Sequence, residues 1–376
     1  MIYLDYSATT PVDEEVLDTF VKVTKDYIGN PNSLHKLGVA SKRLIDASTK
    51  QIASLLGVKE KEIIYTSGAT EANNLAIKGV CEKYQNRGKH IITTRLEHSS
   101  VTAPISYLAK CGYDVDFIEL DDNGMVTIDN LKKVIREDTI LVSICSVNSE
   151  IGLVQNIEEI GNFLKDYPKI IFHSDMTQSI GKINMSLENV DLVSFSAQKF
   201  YGLKGVGCLI KKENISLEPI IHGGKSTTVY RSGTPAVALI ASLAKALRLI
   251  FIDCDKRYEE VSQLNDYLRE GLGNIKGVHI NSNSYCSPYI LNISIENIKS
   301  EVMLHALEEE DIYISTQTAC SSGNYSQAIF DFTKKKSYAE NSLRISLSFL
   351  TTKEELTRFI EVFKQKMREL DLSESS

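Results

Sequence analysis

The chain has 376 residues, 43% of them hydrophobic and 24% charged, with a formal net charge of −7. That length supports a sizeable core and about two domains, while the acidic balance excludes a broad basic surface for nucleic acid or anionic membrane. No apolar run approaches the roughly 20 residues that cross a bilayer, and MIYLDYSATTPVDEE at the N-terminus has no basic segment followed by an apolar one, so a cytoplasmic protein without a signal peptide is expected.

From residue 14 to about 250, short apolar runs alternate with helical patterns. The runs EIIYT (62–66), HIITT (90–94), DVDFIEL (114–120), ILVSICSV (140–147), KIIFHSD (169–175), DLVSFS (191–196) and GVGCLI (205–210) read as strands. Segments 69–85 and 156–167 carry helical spacing between them. The alternation predicts an α/β domain with a mostly parallel sheet, whose ligands gather on the loops after the carboxyl ends of the strands. Residues 235–273 read as one long helix, or two with a break, with proline at the start and glycine near the end. A smaller α+β unit follows in the C-terminal third, with strands at 289–295 and 342–349 and helices at 301–311 and 352–370.

The seven cysteines are odd in number, widely spaced and free of any C-x-x-C pair, which argues against a disulfide framework and against a zinc site. Six of them (Cys81, Cys111, Cys145, Cys208, Cys254 and Cys286) lie in apolar or helical contexts and are expected to pack as small hydrophobes. Cys320 differs. It stands in STQTACSSGNYSQ (315–327), a polar run of small residues suited to an accessible loop. A thiolate in use would justify it there; an incidental surface thiol is the alternative.

Three strand ends carry chemistry together. In YTSGATEANNLAIKG (65–79), small residues and Thr70 precede a helix whose free amides favour phosphate, although ordinary helix capping gives the same pattern. In FHSDMTQSIGK (172–182), Asp175 ends an apolar strand, where a carboxylate is costly without a cation such as a pyridinium nitrogen, although a helix-capping Asp gives the same pattern; Gln178 can bond a ring oxygen. In SFSAQKFYGLKG (194–205), Ser196 and Gln198 can donate to phosphate and Lys199 can condense with an aldehyde. These are the parts a pyridoxal phosphate site requires. His98, in a loop after a strand, can stack on a flat ring, with a satisfied structural histidine as the alternative, and Arg344 on a strand suits a substrate carboxylate. Two nucleotide patterns fail: HGGKST (222–227) has Pro219 where a P-loop needs its first glycine, and GLKGVG (202–207) has the wrong glycine spacing.

With YLDYSATTPVD (3–13), NPNSLHKLG (30–38), SGATEANNLAIKG (67–79), EHSSV (97–101), HSDMTQSIGK (173–182), YRSGTPA (230–236) and TACSSG (318–323) in this order, the chain resembles the NifS/IscS-type cysteine desulfurases of the class V aminotransferase group. The A-C-S-S-G segment is similar to the group with a long mobile cysteine loop. The resemblance implies a fold type I pyridoxal phosphate enzyme. Its large cofactor domain would span 14–255, and its small domain 1–13 with 256–376. It further implies that Lys199 holds the cofactor as a Schiff base and moves the α-proton, with Asp175 on the pyridinium nitrogen and Gln178 on the ring hydroxyl. His98 would stack on the ring and aid proton transfer. Ala69 (through its backbone), Thr70, Ser196 and Gln198 would hold the phosphate, and Thr234 would reach that of a neighbouring subunit in a homodimer. Arg344, with Asn32 nearby, would bind the carboxylate of L-cysteine. Cys320 would take the sulfur as a persulfide for an acceptor protein, such as an iron–sulfur scaffold or a tRNA-thiolation protein. No metal is implied.

Three positions depart from the family pattern. Ser149 stands where an asparagine is usual, so its bond to the ring hydroxyl is lost or bridged by water. Gln198 replaces a histidine, and GGKSTTVYRSGT (223–234) replaces a glycine-rich stretch with Gln-Glu. A selenocysteine or C–S lyase, and a non-catalytic scaffold or sulfur carrier, remain as alternatives.

Overall fold

The computed structural model describes residues 1–224, 226–316 and 325–374. Its strands, in chain order, are β1 (Ile2–Tyr3), β2 (Ile63–Thr66), β3 (His90–Thr93), β4 (Asp114–Phe117), β5 (Thr139–Ser143), β6 (Ile171–Asp175), β7 (Leu192–Ser196), β8 (Gly207–Lys211), β9 (Val278–Ile280), β10 (Ile290–Ile295), β11 (Ile312–Tyr313), β12 (Ser315–Thr316) and β13 (Ser342–Ser346). The helices are α1 (Glu14–Asp26), α2 (Lys36–Leu56), α3 (Ala69–Tyr84), α4 (Ser99–Lys110), α5 (Ile128–Val134), α6 (Ile157–Leu164), α7 (Val237–Phe251), α8 (Cys254–Gly273), α9 (Ser300–Glu308), α10 (Gln327–Thr333), α11 (Lys336–Glu340) and α12 (Lys353–Glu374).

The apolar runs of the first two thirds form a seven-stranded sheet in the order β2-β8-β7-β6-β5-β3-β4. All neighbours pair in parallel except β8, which runs against both β2 and β7. Helices cover both faces, so successive strand residues divide between two cores. Ile91, Leu141 and Ile171 meet α3 and α4 through Leu75, Ala76 and Ile105. Their neighbours Ile92, Val142 and Phe172 meet α1, α2 and α7 through Val16, Ile52 and Leu243. Edge strand β4 is the one strand of this sheet without a buried residue.

Because only β8 is reversed, the segments leaving β2, β3, β5, β6 and β7 emerge along one edge of the sheet. The motifs at 67–70, 98, 149–150, 175–178 and 196–199 are thereby brought to that edge.

The C-terminal elements build a second sheet, β12-β13-β10-β9, antiparallel throughout. Its core joins Val261 and Leu268 of α8, Met303 and Leu307 of α9, and Phe359 and Phe363 of α12. Leu4 belongs to this core, and β1 pairs in parallel with β11. The N-terminus is thus fastened to the last third before residues 7–10 run back to the end of β7, where Thr10 N donates to Gln198 O at 2.9 Å.

The stretch 235–273 is two helices: Asp253 takes a left-handed conformation, φ +56°, between α7 and α8. The expectation that six cysteines pack as hydrophobes holds for Cys81, Cys145 and Cys208, which are buried. It fails for Cys111, which is exposed because it caps α4 beyond the last turn that meets the sheet. Cys254 and Cys286 are half-buried, and all six are free thiols. Cys320 lies outside the described residues.

Candidate active site

Lys199 stands in a single 3₁₀ turn, Ala197–Lys199, directly after β7. The chain then folds back tightly. Tyr201 takes φ +65°, and Gly202 N donates to Ala197 O at 3.0 Å. A Cβ at Gly202 would lie 2.7 Å from Ala197 Cβ, so only glycine permits this return. The half-buried Lys199 Nζ donates to Ser7 O at 2.9 Å and Ala8 O at 2.6 Å. It faces a cavity of about 490 Å³ at the carboxyl edge of the sheet.

Asp175, the last residue of β6, is 6% exposed and holds its carboxylate with two donors. Thr177 N reaches Oδ1 at 2.9 Å and Asn73 Nδ2, from α3, reaches Oδ2 at 2.8 Å. The same Asn73 Nδ2 donates to Ser100 Oγ at 2.8 Å, which leaves that hydroxyl to donate to His98 Nδ1 at 2.8 Å. Ser100 N also donates to Nδ1, at 3.1 Å. Two donors on Nδ1 assign the proton to Nε2 and keep the ring neutral. The electrostatics agree. Surrounding protein lowers the His98 pKa, and the cations Lys199 and Arg344 act the same way against Asp175. The ring is nonetheless open to solvent on the side that lines the cavity.

Gln178, 5% exposed, donates from Nε2 to Ser7 O at 2.9 Å and accepts at Oε1 from Lys182 Nζ at 3.0 Å. Below the cavity, His173 bridges Ser143 Oγ and Ser194 Oγ, and burial pushes its pKa down to about 4, so it is a neutral strut between strands. Glu97, buried beside His98, has its pKa pushed up to about 8 by burial; its Oε1 accepts from Thr94 Oγ1 and Cys145 N.

At the other end of the cavity, α3 begins with Gly68 as its N-cap, and no side chain caps the first amides. Ser67, Ala69, Thr70, Ser196 and Gln198 line this end. A Cβ on Gly68 would lie 3.2 Å from Ser196 Oγ and would crowd that hydroxyl at the mouth of the cup. Ser196 Oγ donates to Gln198 Oε1 at 2.6 Å, which turns the amide nitrogen of Gln198 away from that hydroxyl.

Arg344 crosses from β13 of the second sheet. It donates through Nη2 to Asp5 Oδ1 at 2.8 Å and through Nη1 to Ser149 O at 3.1 Å, while its buried Nε has no partner among the described residues. Beside it, Asn148 pins the 148–151 turn by accepting from Glu150 N and Ile151 N and donating to Leu96 O. Glu150 accepts from Ser326 Oγ, the N-cap of α10, and burial raises its pKa.

Ten of the expected residues therefore share one cavity: Ala69, Thr70, His98, Ser149, Asp175, Gln178, Ser196, Gln198, Lys199 and Arg344. Asn32 does not join them, against expectation. The Asn30 side chain accepts from Asn32 N at 2.9 Å and holds a surface turn ahead of α2, leaving Asn32 exposed. Thr234 is also exposed and outside this lining. The sequence passed over Ser7, Ala8, Asn73 and Ser100. Ser7 and Ala8 carried a signal only within the 3–13 motif, and Asn73 only as an amide on an otherwise apolar helix face.

The residues present fit pyridoxal phosphate. A buried carboxylate suits a pyridinium nitrogen, a helix start without a cap suits phosphate, an amine suits an aldehyde, and the unpartnered Arg344 Nε suits a carboxylate.

The aminotransferase class-V family model matches residues 2–359. Cysteine desulfurase IscS of Dictyoglomus turgidum is 39% identical over 375 residues, covering 98% of this chain and 95% of the relative. A solved structure described as a NifS-like protein superposes with a TM-score of 0.93 at 34% identity, covering 98% of this chain and all of the other. Another, described as SspA in complex with cysteine, reaches a TM-score of 0.82 at 30% identity over 94% of this chain and all of its own. The chain belongs to the class-V aminotransferase family of pyridoxal phosphate enzymes, in its NifS/IscS-like cysteine desulfurase branch.

Proposed function

We propose that this protein converts L-cysteine to L-alanine and passes the sulfur, as a persulfide on Cys320, to an acceptor protein. The observation that carries this reading is the convergence on one cavity of an amine, a buried carboxylate, a neutral imidazole and an arginine with an unpartnered Nε. Bound pyridoxal phosphate supplies an electron sink that lets the substrate α-proton leave and then its sulfur. Lys199 Nζ holds the cofactor and then carries the α-proton. Asp175 balances the charge of the ring nitrogen, and Gln178 donates to the ring hydroxyl. Ser149, with its short side chain, would stand near that hydroxyl, its direct bond lost or bridged by water. Neutral His98 would stack on the ring. The amides at Ala69 and Thr70, with Ser196 and Gln198, hold the phosphate, and Arg344 orients the substrate carboxylate.

Cys320 Sγ attacks the substrate sulfur. An S–S bond forms as the C–S bond breaks; the electron pair stays on the substrate carbon, which takes a proton. Cysteine and a thiol thus become alanine and a persulfide, with no external oxidant.

The working form in this reading is a cytoplasmic homodimer in which Thr234 serves the phosphate of the second copy. The large apolar side chains of Ile28 and Leu34, 76% and 97% exposed, support a contact surface beside the 30–38 motif. Residues 14–255 act as the cofactor domain, and 1–13 with 256–376 as the smaller one, which accords with Leu4 sharing the C-terminal core. Among the described residues no helix is long and apolar enough to cross a membrane.

The test is alanine formed from L-cysteine by the purified, cofactor-loaded protein with a reductant present. Alanine accompanied by sulfide is expected. Cys320→Ala should keep the visible absorption of the loaded protein and lose roughly a hundredfold or more of alanine formation. Undiminished alanine from that variant would remove Cys320 from the reaction.

A further inference from the structure

Lys182 is a buried lysine that the reaction as described does not use. Four residues after Gln178, the chain turns out of β6: Ile180 N donates to Met176 O at 3.0 Å and Lys182 N to Ser179 O at 2.9 Å. Gly181 makes the turn with φ +73°, pressed so closely on Ile250 that a Cβ would come within 2.7 Å of it. The lysine is thereby driven inward and is 6% exposed. Its Nζ donates to Gln178 Oε1 at 3.0 Å and lies 5.9 Å from the centroid of the Tyr289 ring. Among the described residues it forms no ion pair, and no other described residue donates to that oxygen.

A lysine ammonium has donors only, so it selects the oxygen of the Gln178 amide and leaves the nitrogen to face Ser7 O at 2.9 Å. Ser7 O accepts from Lys199 Nζ as well, at 2.9 Å. One run of hydrogen-bonded groups therefore joins the two lysines: Lys182, the Gln178 amide, the Ser7 carbonyl, Lys199.

We propose that Lys182 is a positioning residue for the desulfurase reaction: it sets which end of the Gln178 amide faces the cavity and places a cation behind the Lys199 nitrogen. The inference rests on the reading of this cavity as a pyridoxal phosphate site. The groups facing Lys182 are Gln178 on its own turn, Lys199 after β7, Arg344 on β13 and Tyr289 ahead of β10. Burial, then the two cations, push its pKa down to about 7, and burial raises that of the Tyr289 phenol, which stays uncharged. Lys182 is accordingly a cation on the acid side of neutrality and a neutral amine on the basic side. A cation there disfavours a proton on the Lys199 nitrogen.

The experiment is a pH titration of the visible absorption of cofactor-loaded wild type, Lys182→Met and Lys182→Arg, with bound cofactor counted for each. Lys182→Met is expected to retain the cofactor and to raise the midpoint of the spectral change by roughly half a unit or more. Lys182→Arg, which keeps donor and charge, is expected to return it toward wild type. A Lys182→Met midpoint equal to that of wild type, with the cofactor retained, would overturn the proposal and reduce Lys182 to a packing residue. Should Lys182→Met fail to fold, Lys182→Gln decides the same question: it keeps a donor and removes the charge, so its midpoint must also rise. Absence of the absorption band from wild type itself would overturn the cofactor reading, an outcome separate from the behaviour of the variants.

Discussion

Two lysines follow neighbouring strands of the same sheet, and their surroundings differ instructively. Lys199 leaves β7 in a 3₁₀ turn and rests its amine on two backbone carbonyls, of Ser7 and Ala8. Lys182 leaves β6 seven residues after Asp175 and rests on one side-chain amide, that of Gln178. Both follow a strand end and both depend on a nearby glycine, Gly202 for the first and Gly181 for the second. Backbone carbonyls hold a lysine in place whatever the side chains around it do. An amide is itself turned by the lysine it meets. The first lysine is held by the fold; the second holds part of the site.

The sharpest break of this comparison is Lys199→Ala. It should abolish the visible absorption of the loaded protein and lower alanine formation roughly a thousandfold or more. An unchanged absorption band would move the cofactor's attachment elsewhere. The two glycines give the next largest effect. Gly202→Ala forces a Cβ to within 2.7 Å of Ala197 Cβ, and Gly181→Ala forces one equally close to Ile250 at a left-handed φ. Each should lower stability by roughly 1–3 kcal/mol in denaturant unfolding, with Gly181→Ala the worse because backbone strain adds to crowding. Equal tolerance of alanine at both would show that the turns can shift.

A further effect is one of pH on the cofactor-free protein. The Lys182 pKa falls from 10.5 when unfolded to about 7 when folded. Below 7 the proton is bound in both states, and the cost of burying the cation is fully present. Between 7 and 10.5 only the unfolded chain binds it, so wild-type stability from this group rises across that window. Lys182→Met should therefore melt higher than wild type most clearly near pH 6, with the gap narrowing as the pH rises towards 10. A gap independent of pH would mean that the lysine is not buried as a cation.

Much of this was legible beforehand, for local reasons. Strand β6 announces itself through the continuous apolar run at Ile170, Ile171 and Phe172, buried on both faces of the sheet, and Asp175 ends it because a carboxylate does not continue an apolar run. The SGAT segment marks a helix start since small residues and a hydroxyl precede a helical period. Lys199 stood out because a lysine among small residues and glycines is unusual in a strand-end turn. Elsewhere the local signal was insufficient. Asn32 shares a motif with His35 and Gly38, yet its turn lies at the surface, because motif membership does not say which way a loop packs. Cys111 and Cys81 both sit on helical patterns, and only the place of α4's last turn beyond the sheet separates the exposed from the buried thiol.

The sequence by itself determined the alternation of strands and helices, the chemistry of three strand ends and, through its ordered motifs, the family. Those depend on hydrophobic period and on residue type, which are local properties. The tertiary structure alone decided that Ser7 and Ala8 meet Lys199 across 191 residues or more, that Asn73 links Asp175 to His98, and that Lys182 is buried behind Gln178. Such contacts follow from the order of parallel strands and from the return of the N-terminus over β7. Long-range closure of this kind leaves no mark on the neighbours of a residue in the chain.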